Sequence, residues 1–373
     1  MKILITAWRL IDYTGADLFT RDLATALHSR GHEVVVYTPF PGRIASALRE
    51  SGVPVVNDLG HLTFEPQIIH GQHRPAMLDA LKRFPAVPAI SVMHGATAAI
   101  DAPFVFRSIR RYVAVDDFCL ARLLREPGIS PHRARVLLNF VDLARFSARG
   151  PLPSAPVRAL VFSNYADRCT HLSAVTEACR RAGLPLAAVG DGVGQAVPEP
   201  GALLAHSDLV FAKGRCAIEA MAVGAAVVLC DVQGLGPMVT TTNFSRLRRM
   251  NFGVGVLTGP LDPAAIVEAI MGYDAPDAVA VSARTRQEAD MEKAIDAWLQ
   301  LYREVLDEAA HHPIYETTAE TDSLDTAIRH GRSFFRREAV TRRLRSVRRI
   351  PLVGDRLYAR LNRLRRTLTK PVP

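Results

Sequence analysis

The sequence predicts an α/β protein of two doubly wound parallel-sheet halves followed by a basic tail. Three observations predict it. Short apolar runs of strand length alternate with longer amphipathic stretches, and the alternation starts twice. Between the two series stands a proline-rich break, Pro151-Leu152-Pro153-Ser154-Ala155-Pro156. Finally, the charge of the 373-residue chain is gathered at one end. Arg329 to Pro373 carries 15 Lys/Arg against two acids, a net of +13, which leaves −4 for residues 1–328. The basic balance thus describes an appendage and not the globular part.

In the first half, Lys2–Thr6 reads as a buried strand and the chain turns at Gly15. A helix follows with Leu18, Phe19, Leu23, Ala26 and Leu27 on one side, ending at Arg30-Gly31-His32. Glu33–Tyr37 is the next strand, completing a β-α-β unit. Arg43–Ser51 then reads as helix, 53–56 and 67–69 as strands, and Ala76–Arg83 as helix. Ala89–Met93 is a strand with His94-Gly95 at its C-terminal end. Strands at 112–115 and 136–139 close the half, the last ending in Asn139. A lone Gly15 often only fits a turn, so by itself it says little about phosphate. Ligands of such sheets bind beyond the C-terminal ends of the strands, which is where His94 and Asn139 are placed.

The second half repeats the pattern. Arg158–Ser163 is a strand, His171–Ala182 a helix, and Leu186–Val189 a strand ending in Gly190-Asp191-Gly192. Ala226–Cys230 is a strand before a long loop from Gly234 to Asn251. Asp262–Met271 is a helix with an acidic cap, and Asp290–Ala309 a long amphipathic helix with Trp298, Leu301 and Tyr302 on one face. Two Rossmann-like halves with a linker between them imply a bilobed enzyme whose ligand lies in the cleft.

The most informative stretch is Phe211-Ala212-Lys213-Gly214-Arg215-Cys216-Ala217-Ile218-Glu219. A strand turns through a glycine into a helix, so first-turn N–H groups face a visitor and favour an anion. Lys213 and Arg215 add positive charge, and Glu219 suits a pair of hydroxyls. A phosphate near the cations and a ribose near the carboxylate is the simplest ligand. The alternative is that Gly214 only ends a strand and Glu219 only pairs with an arginine.

Other classes recede on composition. No apolar run approaches the roughly 20 residues of a membrane-spanning helix. The N-terminal apolar run is interrupted too soon, by Arg9 and Asp12, to read as a signal peptide. Five scattered cysteines (Cys119, Cys169, Cys179, Cys216 and Cys230) without a C-x-x-C favour free thiols in a reducing cytosol over disulfides or zinc. The pairs His70/His73 and His311/His312 read as structural or surface residues, so no metal site is expected.

These residues together resemble the retaining glycosyltransferases of the GT-B fold, family 4 type. The carriers are Arg30-Gly31-His32-Glu33-Val34, His94-Gly95, Asn139-Phe140-Val141-Asp142-Leu143-Ala144-Arg145-Phe146, Gly190-Asp191-Gly192, and Gly214 through Glu219-Ala220-Met221-Ala222 to Gly224. The resemblance covers roughly residues 1–310. It implies transfer of a sugar, with retention, from a nucleotide-sugar donor in the second lobe to a glycan or lipid-linked acceptor in the first. It implies that Glu219 binds the donor's ribose, that Gly214 and Arg215 contact the diphosphate through their backbone, and that His94 sits by the transferred sugar. Gly15, Asn139, Arg168 and Gly190 complete the expected donor site. The late helix, 290–312, would pack back across lobes spanning 1–150 and 151–289.

Two departures stand out. The family's second glutamate falls at Phe211, and its Arg/Lys pair after the second lobe's first strand is replaced by Ser163-Asn164-Tyr165, with Arg168 the nearest cation. The stretch between Gly192 and Asp208 is short, as if one strand–helix unit were trimmed. Negative charge still builds on the leaving phosphate, so Lys213 and Arg215 become the candidates to stabilise it. With no D-x-D motif, the chemistry is expected to be metal-independent and to need no cofactor.

Residues 313–328 read as an acidic linker. The tail shows helical spacing twice, at Val340, Leu344 and Val347 and at Leu357, Leu361, Leu364 and Leu368, with arginines on the other faces. Basic amphipathic helices lie on anionic membranes, so residues 329–373 are expected to attach a cytoplasmic protein to the inner face of the cell membrane, the alternatives being a solvated arm or a helix docked on the acidic body. Nucleic acid is a weaker partner, since aromatics for stacking are few. The rival functions are a catalytically degenerate scaffold of the same fold and, last, a sugar-nucleotide epimerase.

Overall fold

In the computed structural model the described residues are 1–314. The acidic linker beyond Ile314 and the basic tail 329–373 lie outside them.

The first half contains strands β1 (Lys2–Thr6), β2 (Arg9–Leu10), β3 (Glu33–Tyr37), β4 (Phe40–Pro41), β5 (Val55–Val56), β6 (Ile68–Gln72), β7 (Ala89–Met93), β8 (Ile109–Ala114) and β9 (Ala134–Val136). Its helices are α1 (Gly15–Ser29), α2 (Arg43–Glu50), α3 (Arg74–Arg83) and α4 (Asp117–Leu123). Seven strands form one sheet in the order β5-β3-β1-β6-β7-β8-β9, with parallel pairing throughout. The order reverses between β1 and β6, so a crevice opens beyond Thr6 and Gln72. β2 and β4 pair separately, in the loops that leave β1 and β3.

In the second half, β10 (Ala159–Phe162), β11 (Leu186–Val189), β12 (Leu209–Ala212), β13 (Ala226–Asp231) and β14 (Gly234–Met238) form a sheet ordered β11-β10-β12-β13-β14. The first four are parallel and β14 is antiparallel at the edge. The switch point lies between β10 and β12, directly beneath Ser163 and Lys213. Along β12, Leu209 and Phe211 join one core cluster while Val210 and Ala212 join another. Both faces of the sheet are therefore covered, as a parallel sheet requires. The helices are α5 (His171–Arg181), α6 (Gly201–Ala205), α7 (Gly214–Val223), α8 (Phe244–Arg249), α9 (Pro263–Met271), α10 (Ala275–Glu288) and α11 (Met291–His311).

Several elements differ from the sequence reading: β2, β4 and α4 were not read, and the strand read at 136–139 is β9 at Ala134–Val136, so Asn139 lies three residues beyond its end. The expected loop from Gly234 to Asn251 holds β14 and α8. β14 is Gly-Leu-Gly-Pro-Met, poor in strand formers and tolerated because Pro237 sits on an edge strand. α8 is too short to show a period. Helix α10 was not anticipated either; its small-residue run lacks a clear apolar stripe, but Asp274 caps it and Pro276 sits in its first turn. Between Gly192 and Asp208 the chain makes only a single turn and the five-residue α6, consistent with a trimmed unit.

Helix α11 leaves the second half and packs on the first. Its start is bonded to the Val141 segment, with Met291 N donating to Val141 O at 3.1 Å. Trp298 and Tyr302 are buried, and His70 Nδ1 lies 2.7 Å from the Tyr302 hydroxyl. Arg30 pairs with Glu292 and Asp296, and Arg111 with Glu308. No helix among the described residues is long and apolar enough to cross a membrane.

Candidate functional site

The turn from β12 into α7 sits at the second sheet's switch point, as the sequence places it. Gly214 has φ +55, and a Cβ there would meet nothing within 4 Å. The backbone is thus open to a close approach, which is glycine's use at such a point. The Gly214 N–H is bonded to Phe252 O at 2.7 Å. Lys213, at the N-cap, supplies no side-chain acceptor, and the N–H groups of Arg215 and Cys216 have no acceptor within the helix.

The two cations flanking Gly214 have different surroundings. Arg215 has a side chain only 5% exposed. Its Nε donates to Glu219 Oε1 at 2.7 Å, and its Nη2 pairs with Asp22 Oδ2 of α1. Asp22 also meets Arg21 at 2.7 Å and Arg145 at 3.7 Å. This buried cluster joins the two lobes, and the alternative reading of Glu219, that it pairs with an arginine, is realised in it. Burial pushes the Glu219 carboxyl up, against the opposing pull of Arg215. Burial acts on Asp22 as well, yet Arg215, Arg21 and Arg145 together hold its carboxyl below the usual range.

Lys213 points elsewhere. Its Nζ lies 2.7 Å from Asp231 Oδ2 at the end of β13, 2.9 Å from Gln233 Oε1 and 4.8 Å from the centre of the Tyr165 ring. Its side chain is 18% exposed, and Tyr165 beneath it is mostly in solvent. The other oxygen of Asp231 accepts from Ser163 Oγ at 3.2 Å and Val232 N at 2.7 Å. Behind it lies His171, at the start of α5 and wholly buried, with Nδ1 3.7 Å from Asp231 Oδ1.

The remaining candidates fall around this core. Gly15 begins α1 close to Arg215; a Cβ on it would lie 3.9 Å from the Arg215 Cβ. Gly190 (φ +140) and Gly192 have packing reasons of their own, since a Cβ on either would strike Ser163 O or Ala166 O at about van der Waals overlap. They press the β11 loop onto the 163–166 turn. Asn164 fastens that turn, accepting from Asp191 N at 3.1 Å and donating to Tyr13 O of the first lobe at 2.7 Å. Arg168 is exposed in the next turn, which leads into α5. Asn139 offers its carbonyl to Arg248 Nη2 at 2.8 Å, and its Oδ1 is buried without a partner among the described residues. Burial brings the Arg248 guanidinium down to about 10.

His94 is at the C-terminal end of β7, as expected, but apart from the cations. Its Nε2 lies 2.6 Å from Gln72 Oε1 and its ring packs edge-on to Phe19. Burial, with His73 and His70 nearby, keeps it well below the ordinary histidine range, so it is neutral at pH 7. Phe19 also touches Phe140, next to Asn139. Phe211, where the family's second glutamate would stand, is fully buried in the cluster on the sheet face opposite α7.

Asp22, Asn164, His171, Asp231 and Arg248 were not foreseen. Asp231 had a signal, its place at a strand's C-terminal end. Asp22 had none, because a carboxylate inside an amphipathic helix reads as solvent-facing. Asn251 and Phe252, both at φ +51, are strained non-glycine positions that aim the Phe252 carbonyl at Gly214.

Known proteins resemble this chain in two ways, in a stretch of sequence and in the fold. Residues 13–145 match the model of Glycosyltransferase Family 4. No curated protein matches the sequence. The solved structure of Anabaena HepE in complex with UDP-glucose is 16% identical, covers 83% of this chain and 100% of HepE, and superposes with a TM-score of 0.62. A glycosyltransferase from Rickettsia africae ESF-5 is 14% identical, covering 82% of this chain and 98% of its own, with a TM-score of 0.59. The fold is that of these GT-B structures, and the similarity to Glycosyltransferase Family 4 lies in residues 13–145.

Proposed function

We propose that this chain moves a glycosyl group, with retention, from a nucleotide-sugar donor to a glycan or lipid-linked acceptor in the synthesis of a cell-surface polysaccharide or glycolipid. The observation that carries the reading is Lys213 beside the open backbone of Gly214, at the uncapped start of α7 and the switch point of the second sheet. The HepE structure of the same fold holds UDP-glucose. The donor's diphosphate would lie over Gly214. The first-turn N–H groups and Lys213 would stabilise the charge that grows on it as the glycosidic bond breaks. Glu219 is one turn deeper and reaches the ribose only if it shares its carboxylate between Arg215 and the sugar. His94, neutral and held by Gln72, would face the transferred sugar from the first lobe. Turnover would be metal-independent, so EDTA should not reduce it. The tail would hold the enzyme at the inner membrane face, and removing residues 329–373 should abolish flotation with anionic liposomes.

A panel of UDP-, GDP-, ADP- and dTDP-sugars, read by thermal shift and by donor hydrolysis, tests the reading. At least one donor should raise the melting temperature and be hydrolysed. If donors bind without turnover, the scaffold reading prevails, which the saturated Arg215–Glu219 pair favours. If none binds, the donor site is wrongly placed.

A further inference from the structure

Lys213 is tied to a buried carboxylate and so is not free to meet a phosphate without consequence. Asp231 is 1% exposed and already accepts from Ser163 Oγ and Val232 N. Once Lys213 leaves, Asp231 keeps those two bonds but loses its countercharge, and a buried unpaired carboxylate is strongly disfavoured. Among the described residues, the group placed to replace the charge is His171. Its ring is fully buried, both nitrogens lack hydrogen-bond partners among the described residues, and Nδ1 stands 3.7 Å from Asp231 Oδ1. A buried imidazole with two unsatisfied nitrogens is costly, and calls for a second state in which one is used.

Resting on the reading of Lys213 as the donor's cation, we propose that Asp231 stores Lys213 in the unliganded enzyme and that His171 takes up one proton when Lys213 moves to the diphosphate. The proton comes from solvent and rests on Nδ1, which then donates to Asp231 Oδ1. No covalent bond changes. His171 is a positioning residue: it touches neither donor nor acceptor and acts through Asp231. The charged groups bearing on it are Asp231 from β13, Lys213 from the start of α7 and Asp167 from the turn before α5. Burial holds His171 below the ordinary histidine range, with Lys213 lowering it further and Asp231 and Asp167 opposing. Departure of Lys213 removes one lowering influence and leaves both raising ones. The bound state therefore has the higher affinity for the proton. Linkage then requires donor affinity to fall as pH rises through the bound-state value, by at most about tenfold per pH unit for one proton.

Two measurements test this on the full-length protein. The first needs no ligand: the His171 ring is titrated by NMR in the wild type and in Lys213→Met. Its midpoint should rise in the variant; an unchanged or lower midpoint overturns the proposal. The second is calorimetric titration with UDP in buffers of different ionisation enthalpy near neutral pH. The wild type should take up a proton on binding, and His171→Gln should bind UDP without uptake and with a flatter pH dependence. Binding without uptake in the wild type, or uptake that survives His171→Gln, overturns it. Failure of UDP to bind at all, with the NMR midpoint raised as expected, contradicts the donor reading for UDP and leaves the Lys213–Asp231–His171 coupling standing.

Discussion

Lys213 and Arg215 flank the same glycine two residues apart, and the sequence offers them as equals. In the fold they differ in every physical respect. Arg215 is buried, paired with Glu219 on its own helix and with Asp22 across the lobe junction. Lys213 is partly exposed, paired with a single carboxylate, and lies over a solvent-facing tyrosine. The first is a strut and the second a cation that can be redeployed. The cause is helical geometry: from the start of α7, one side chain follows the helix inward towards α1 and the other stays with the strand ends. Charge near a glycine is thus not sufficient to name a phosphate ligand; what the cation must give up to reach the phosphate decides it.

The comparison can be broken at either end. The largest expected effect is on stability. Arg215→Ala leaves Glu219 buried without its paired cation and takes from Asp22 one of its three arginines, and should cost about 3–5 kcal/mol, read as a fall in thermal midpoint. A midpoint within a degree of wild type would show that the strut is not one. Next is catalysis: Lys213→Ala should lower donor turnover about 10²- to 10³-fold, with a smaller fall in midpoint than Arg215→Ala because His171 can replace the charge facing Asp231, and an active Lys213→Ala enzyme would remove it from the site.

A pH series sharpens the strut further. Asp22 has a folded value below its unfolded one, so its contribution is present above the unfolded value and is lost as pH falls through the folded one. Glu219 has a folded value above its unfolded one, so acid relieves its burial. Thermal midpoints between about pH 3 and 7 should therefore flatten on the acid side in Asp22→Asn and steepen in Glu219→Gln. Slopes changing in the same direction would mean the two carboxylates are not opposed. The smallest effect lies far from both cations. Tyr302→Phe removes the hydroxyl partner of His70 and should cost about 1 kcal/mol with donor affinity unchanged, separating lobe packing from donor binding.

Much of this was legible in the sequence. Strands Glu33–Tyr37 and Ala89–Met93 have the limits that their apolar runs predict, because buried parallel strands are continuous apolar segments, and the edge strand Leu186–Val189 also falls where it was read. The Gly214 turn and His94 also fall at strand ends as read. Pairing between distant elements was not legible. The Asp22–Arg215 contact joins residues 193 positions apart, and Asp231 meets Lys213 only because β13 lies beside β12. Glycines 190 and 192 looked like a ligand motif, and each has a packing contact that would require glycine without any ligand. β14 was hidden because its residues are poor strand formers that an edge position tolerates.

The central claim is that Lys213 is the side chain that grips the donor's diphosphate. Equilibrium titration of UDP into the wild type, Lys213→Ala and Lys213→Arg tests it most directly. A charge-assisted bond of about 1.5–3 kcal/mol predicts that Lys213→Ala weakens UDP by about 10- to 100-fold, that Lys213→Arg restores part of it, and that all three proteins are folded at the temperature of the titration. Equal affinity for UDP in the wild type and Lys213→Ala would contradict it.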